Sequence, residues 1–370
     1  MKIGFIVLNN FKYDARVIKQ SSLFAQKGHK VDVFALADEG LPKTQNINGV
    51  NVHRVNLLSR KLPKKIMFQV LKYAEYMVKL LKLRNYDFLF LSRAKSLPIG
   101  IVIRALSFNK VKLVYDTREL ETESNGIKGF KKKTIKFIEK MLIPKVHHIF
   151  AVSESIKKIY EKNYDREVLL ITNSVYYNDI EREKIFHEIY GLEPSVKIFL
   201  YQGRLTKGRG IELIIQAFKQ IEIKDCVLVI LGHGELKEWI LDEIQGFSNI
   251  FLHDSVEPNQ LLSYTSSADY AFCLIENTCL SYYYSLPNKL FEYSLAGLPV
   301  LASNLPELGK YVREFENGVI INEFTIVSIK NAIEEIKMKS YDEMSFNSKR
   351  LARENDWAKH EAELLKIIEG

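Results

Sequence analysis

Glu292 stands one helical turn beyond a helix start suited to an anion, in the stretch Ser285-Leu-Pro-Asn-Lys-Leu-Phe-Glu-Tyr-Ser-Leu-Ala-Gly-Leu-Pro-Val300. Pro287 fits the first helical turn, where its missing N–H is no loss, and Gly297 with Pro299 stops the helix. Leu290, Phe291, Leu295 and Ala296 fall at helical spacing, while Asn288, Lys289 and Glu292 gather toward the amino end. Such an end offers unpaired N–H groups to an anion. Leu298 to Ala302 then reads as a buried strand, so the unit is loop, helix and strand within an α/β layer.

A second basic cluster lies upstream, in Tyr201-Gln-Gly-Arg-Leu-Thr-Lys-Gly-Arg-Gly-Ile-Glu212. A strand ends at Gly203, a loop with glycines follows, and an amphipathic helix begins near Ile211. Arg204 and Arg209 beside open glycine backbone suit a diphosphate, because planar guanidinium groups pair with phosphate oxygens. A solvated basic turn would carry the same residues, and Lys207 reads as a bystander. Leu231-Gly-His-Gly-Glu235 is another strand-to-loop joint, where Gly232 and Gly234 would let a ligand approach and His233 reads equally as a surface residue. The first half has comparable joints: Asn9 to Arg16 with Asn10 and Asp14, Arg93 to Ser96, Asp116-Thr-Arg-Glu119 with Arg118, and Ser153-Glu-Ser. Each polar residue there also suits a cap or a turn.

The elements that must position these residues alternate between strand and helix. Ile3 to Leu8, Val31 to Leu36, Gly49 to Val55, Tyr86 to Leu91, Val111 to Tyr115, Ile149 to Val152 and Val168 to Ile171 read as strands of the first half. Lys197 to Tyr201, Val227 to Leu231, Asn249 to Leu252, Tyr270 to Ile275, Leu298 to Ala302 and Gly318 to Ile321 read as those of the second. The expected fold is α/β, with two doubly wound, mostly parallel sheets facing a central cleft and ligands at the carboxyl ends of the strands. Boundaries are expected after residues 178 and 345, with the helical tail 346–370 packing away from its own domain.

Composition narrows the class. A hydrophobic share of 47% and a charged share of 26% fit a soluble globular chain, and no apolar run approaches the roughly eighteen residues of a spanning helix. Met1-Lys-Ile-Gly-Phe-Ile-Val reads as a first strand and not a signal peptide. Cys226, Cys273 and Cys279 have no metal-ligand spacing and read as reduced thiols of a cytoplasmic protein. Residues 1–180 hold 33 Lys and Arg against 16 Asp and Glu, a balance of +17, while the rest holds 20 against 29, or −9. A basic half suggests an anionic partner, although solubility alone would explain it. There is no dinucleotide glycine fingerprint, P-loop, H-E-x-x-H or convincing Asp-x-Asp, so neither a cofactor nor a metal is expected.

With these residues assembled, the sequence resembles the GT-B glycosyltransferases of family 4 over nearly its whole length. Gly203-Arg-Leu with Arg209 resembles the basic diphosphate loop, Gly232-His-Gly234 the G-D-G turn, and Glu292-Tyr-Ser-Leu-Ala-Gly-Leu-Pro-Val300 the E-A-x-A-x-G-x-P-V signature. The resemblance implies two Rossmann-like domains, acceptor-binding (1–178) and donor-binding (179–345), with a terminal helix crossing back to the first. It implies a retaining, metal-independent transfer from a nucleoside diphosphate sugar, UDP or GDP. One departure stands out: the family pairs two glutamates eight positions apart, and eight before Glu292 stands Tyr284. The L-P-N-K-L-F-E-Y wording resembles a bacterial branch active in capsule, O-antigen and exopolysaccharide assembly. In relatives, too, His commonly occupies the position of Arg118.

Carried over residue by residue, Glu292 holds the ribose, while Arg204, Arg209 and the helix start at Asn288 stabilise the leaving diphosphate. Gly203, Gly232, His233, Gly234, Ser285, Pro287, Lys289 and Leu290 complete the donor site. Asn10, Asp14, Arg16, Arg93, Arg118, Glu119 and Ser153 are the acceptor-site candidates. The acceptor would be a glycan or a glycan on a polyprenyl diphosphate. Lys61, Lys64, Lys65 and Lys131 to Lys133, near Leu62, Ile66, Phe68 and Phe130, would rest on an anionic membrane, giving a cytoplasmic protein peripheral to its inner face. Two other readings remain: a nucleotide-sugar epimerase of the same shape, and a binding subunit that needs an active partner. Nucleic acid is not expected, since no aromatic-basic recognition motif occurs.

Overall fold

The computed structural model describes residues 1–63, 65–221 and 226–369; Lys64, one of the basic residues named above, lies outside the described residues. The chain forms two compact units, Met1–Ile171 with the chain from His360 on, and Thr172–Lys359.

The first unit contains β1 (Lys2–Ile6), α1 (Ala15–Gln26), β2 (Lys30–Leu36), β3 (Thr44–Ile47), β4 (Val50–Val55), α2 (Ile66–Leu80) and β5 (Phe88–Ser92). It continues with α3 (Leu97–Leu106), β6 (Lys112–Thr117), α4 (Gly129–Leu142), β7 (His148–Ala151), α5 (Glu154–Tyr164) and β8 (Leu169–Leu170). Its sheet runs β3-β4-β2-β1-β5-β6-β7-β8, parallel except for the edge strand β3. Strands such as Phe88-Leu-Phe-Leu-Ser92 are buried along their whole length, as parallel strands covered on both faces must be. The sequence reading lacks β3, whose residues are mostly exposed and show no apolar alternation. Asn48 and Gly49, at φ +52° and +83°, form the left-handed two-residue turn that folds β3 onto β4.

In the second unit α6 (Ile185–Tyr190), β9 (Lys197–Arg204), α7 (Ile211–Phe218), β10 (Cys226–His233), α8 (Lys237–Glu243) and β11 (Ile250–Asp254) come first. They are followed by α9 (Leu261–Ser266), β12 (Tyr270–Cys273), α10 (Leu280–Tyr283), α11 (Asn288–Leu295), β13 (Val300–Ser303), α12 (Pro306–Phe315) and β14 (Gly318–Ile321). The helices α13 (Ile326–Met338), α14 (Tyr341–Glu354) and α15 (Ala358–Glu369) close the chain. The all-parallel sheet runs β11-β10-β9-β12-β13-β14, a doubly wound order that reverses between β9 and β12. Phe199 and Tyr201 of β9 pack with α7 and α13 on one face, while Ile198 and Leu200 pack with Leu290, Phe291 and Tyr293 of α11 on the other.

Both boundaries differ from the sequence reading for local reasons. The Trp357 backbone N–H donates to the Val175 carbonyl and the Tyr177 backbone N–H to the Asp356 carboxylate, so residues 172–178 are held within the second unit. Helix α14 packs on α11 and α12, leaving only the chain from His360 with the first unit. Gly297 shows how closely α14 lies. At φ +72° it ends α11, and a Cβ there would sit 2.8 Å from the Lys349 side chain. Among the described side chains of α2, Tyr76 and Leu80 are buried, while Met67, Val70, Leu71 and Val78 are exposed. The Tyr76 hydroxyl bridges the carbonyls of Val7 and Phe34, tying α2 over β1 and β2. All three cysteines are free.

Candidate active site

In the second unit the sequence candidates gather where the strand order reverses. Gln202 is the keystone, a buried polar residue one position before Gly203. Its Nε2 donates to Glu292 Oε2 at 2.7 Å, its Oε1 accepts from Thr265 at 2.6 Å, and its backbone N–H donates to the Tyr293 hydroxyl at 2.9 Å. The amide therefore locks the Glu292 carboxylate against β9. Sequence reasoning missed Gln202, whose one signal was a polar residue inside an otherwise apolar strand.

Arg204 ends β9 opposite His233, and both side chains are exposed. Arg209 lies over the Tyr282 ring, its guanidinium carbon 4.6 Å from the centroid. The loop between them is pinned from the next switch-point strand, since the Glu276 N–H donates to the Gly208 carbonyl. Gly208 and Gly210 both have positive φ, and a Cβ on either would come within 3.0 Å of Tyr282 or Leu274. Gly232 and Gly234 have a task within the fold. A Cβ on Gly232 would collide with the Gly203 carbonyl and one on Gly234 with the Leu205 carbonyl, so these glycines make room for the basic loop's own backbone.

Asn288 and Lys289 begin α11 after Pro287, which occupies the cap position without a side-chain bond. Ser285 donates its hydroxyl to the Tyr282 carbonyl at 2.8 Å, and Tyr284 lies edge-on to Tyr283 at 4.9 Å. Leu290 is a core residue, fully buried, and its N–H already donates to the Pro287 carbonyl; the N–H groups left at this helix start are those of Asn288 and Lys289. Lys289 Nζ lies 4.1 Å from the centre of the Tyr201 ring. Burial presses its amino group down to about 8.

The first-unit candidates also lie at carboxyl ends of strands, but they mostly hold one another. Arg16, buried, forks onto Asp116 with Nε 2.8 Å from Oδ2 and Nη2 2.7 Å from Oδ1, and it also donates to the Ile171 carbonyl. Asp14 caps α1 through the Val17 N–H, and it accepts from Asn9 at 2.7 Å and Arg118 at 2.8 Å. Burial pushes the Asp14 carboxyl up, but Arg118 and these hydrogen bonds outweigh it and hold the group below its ordinary value. Arg118 also donates to Ser92 at 3.0 Å; burial works against its charge, and Asp14 with Asp116 raises it regardless. Asn10 is fixed by Asp38 and by Arg54, which takes its carbonyl. Ser153, fully buried, caps α5 by accepting from the Ile156 N–H.

Arg93, at φ +76°, is half-exposed and pairs with Glu119 at 3.1 Å. Beside it stands a carboxylate that the sequence reading did not select. Glu121 accepts from the Ala94 N–H at 2.8 Å, and burial pushes its carboxyl up to about 7 against the pull of Arg93. Its only sequence signal was its place in a polar loop.

Residues 182–352 match the family model for glycosyl transferases group 1, and residues 16–176 match that for glycosyltransferase family 4. Among named relatives, a glycosyltransferase of Methanocaldococcus jannaschii is 26% identical over 80% of this chain and 77% of its own. The chitobiosyldiphosphodolichol beta-mannosyltransferase of Candida albicans is 22% identical over 86% and 76%. The capsular polysaccharide biosynthesis glycosyltransferase CapM of Staphylococcus aureus is 26% identical over 60% of each chain. Among solved structures, sucrose-phosphate synthase of Thermosynechococcus elongatus superposes with a TM-score of 0.80 at 17% identity, over 99% of this chain and 98% of its own. WaaG, a glycosyltransferase of lipopolysaccharide biosynthesis, gives 0.74 at 15% over the whole of both chains. Anabaena HepE with UDP-glucose gives 0.74 at 14% over 100% and 99%. The two family matches fall one on each half of the chain, and the chain is a glycosyltransferase of the GT-B fold, one of the family 4 enzymes.

Proposed function

We propose that the enzyme moves a sugar from a nucleoside diphosphate donor, UDP or GDP, to a hydroxyl of a glycan carried on a lipid diphosphate, retaining the anomeric configuration. The observation that carries this reading is the convergence in one unit of the Gln202-held Glu292, the loop bearing Arg204 and Arg209, and the free N–H groups that begin α11. Glu292 takes the ribose hydroxyls. The arginines and Asn288 meet the diphosphate and stabilise its growing charge as the sugar–phosphate bond breaks. The acceptor oxygen bonds to the anomeric carbon from the same face, and its proton passes to the departing phosphate oxygen. Cations of the chain thus do the work a metal does elsewhere, so the reaction should survive chelation by EDTA.

The named relatives support the acceptor class. One type is named for a saccharide on dolichol diphosphate, another for capsular polysaccharide, and a structural neighbour for lipopolysaccharide biosynthesis. Bacterial surface polysaccharide assembly is the setting we infer. No helix among the described residues is long and apolar enough to cross a membrane. The first unit instead exposes Met67, Val70, Leu71 and Phe130 near Lys61, Lys65, Lys131 and Lys133, a combination suited to an anionic leaflet on the inner face of the cell membrane; Lys132 is paired with Glu123.

A thermal-shift screen of UDP, GDP, ADP and CMP derivatives tests the donor reading, because a ligand that prefers the folded state raises the melting temperature. One diphosphate should stand out, and its sugar should then yield, with acceptor, a product whose anomeric proton coupling matches the donor's. A flat screen would refute the donor site, and an inverted coupling would refute retention. Salt-sensitive sedimentation with anionic vesicles, and none with neutral ones, is expected for the surface patch.

A further inference from the structure

Lys289 carries a shielded amino group for which the chain supplies no acceptor. Its Nζ has no hydrogen-bond partner among the described residues. The groups that face it come from every element around the switch point: Tyr201 on β9, Arg209 in the loop before α7, Cys273 at the end of β12, and Glu292 one turn along α11. None of them closes a pair with it. The Glu292 Oε2 is bound by Gln202, Arg209 is a like charge seated on Tyr282, and burial pushes the Cys273 thiol up to about 11, which keeps it neutral. Tyr201 is pushed up by burial as well and offers only its ring face. Three N–H donors therefore meet one aromatic face and no oxygen, beside a second cation.

Two neighbouring cations are stabilised together when an anion lies between them, and the crevice at a sheet's switch point is where phosphate binds. We propose that Lys289 is a proton-coupled ligand of the donor's diphosphate, its amino group taking a proton from solvent when the phosphate oxygens supply the acceptors the chain lacks. This inference rests on the donor reading above. In the free enzyme burial holds the group at about 8, so it is largely neutral at pH 9; beside a diphosphate it returns toward its ordinary range. Below pH 8 the group is charged in both states and affinity is flat with pH. Above pH 8 only the complex is protonated, and affinity falls by up to about tenfold per pH unit. The phosphate's own second ionisation, near about 6, is complete before this window opens.

The test is calorimetric titration of the full-length enzyme with UDP and GDP at pH 7 and pH 9, in buffers of different ionisation heat, with melting curves to confirm folding. The wild type should take up close to one proton per nucleotide at pH 9 and almost none at pH 7. Lys289→Met should bind weakly with no uptake at either pH, and Lys289→Arg should bind without uptake and without the alkaline loss of affinity. Binding of the wild type at pH 9 without uptake, or equal uptake by Lys289→Met, would overturn the proposal while leaving the donor site in place. Failure of the wild type to bind either diphosphate would overturn the donor reading and this inference with it.

Discussion

At the carboxyl ends of the first sheet Arg16 and Arg118 each have a carboxylate of their own, Asp116 and Asp14, and a third shielded cation, Arg54, is met by the Asn10 and Pro42 carbonyls and the Gln45 amide oxygen. At the corresponding ends of the second sheet Arg204, Arg209 and Lys289 have no ion pair among the described residues, and two of them rest on tyrosine rings. The same residue types at equivalent places in two related sheets thus do opposite things. A cation paired internally is a strut, rigid and already neutralised. A cation seated on a ring face, with no carboxylate beside it, keeps its N–H donors open to a ligand.

Two substitutions put that contrast at risk. Asp116→Ala strands Arg16 as an unpaired buried charge and should cost about 3–5 kcal/mol, read as a lower urea midpoint. Arg204→Ala, on an exposed side chain, should leave the midpoint within about 0.5 kcal/mol of wild type, yet lower turnover by roughly a hundredfold to a thousandfold. The contrast fails if Arg204→Ala unfolds as readily as Asp116→Ala, or if it keeps near-normal turnover.

Much of this was legible in the residues. Proline before and glycine after α11 bound it correctly, because both act through the backbone alone. Ser153 as a cap followed from the same local logic. What could not be read was how long-range pairing spends a side chain. Arg16 looks available in its own stretch, and only the register of β6 against β5 and β7 brings Asp116, a hundred residues away, beneath it. Gly232 shows the same limit: its glycine was visible, but the atom it makes room for belongs to a neighbouring strand. Gln202 and Glu292 are 90 residues apart, so their bond had no signature at either position.

Glu121 sharpens the contrast further, as a carboxylate of the first unit that burial keeps from charging easily, as it does Glu139. Burial raises it from the ordinary 4.5 to about 7, and Arg93, half-exposed and shared with Glu119, offsets only part of that. A folded-state value above the unfolded one means the fold binds this proton more tightly. The contribution is fully present below pH 4.5 and is lost as pH rises through 7. Asp14, whose value is lowered, runs the other way and loses its contribution only in acid, as pH falls below the ordinary 3.8. Glu121→Gln keeps an acceptor for the Ala94 N–H and removes the charge. The variant should therefore gain about 1–3 kcal/mol over wild type at pH 8 and nearly nothing at pH 4. Urea melts at the two pH values measure this directly. An equal gain at both would mean that packing, and not the buried charge, sets the stability of this loop.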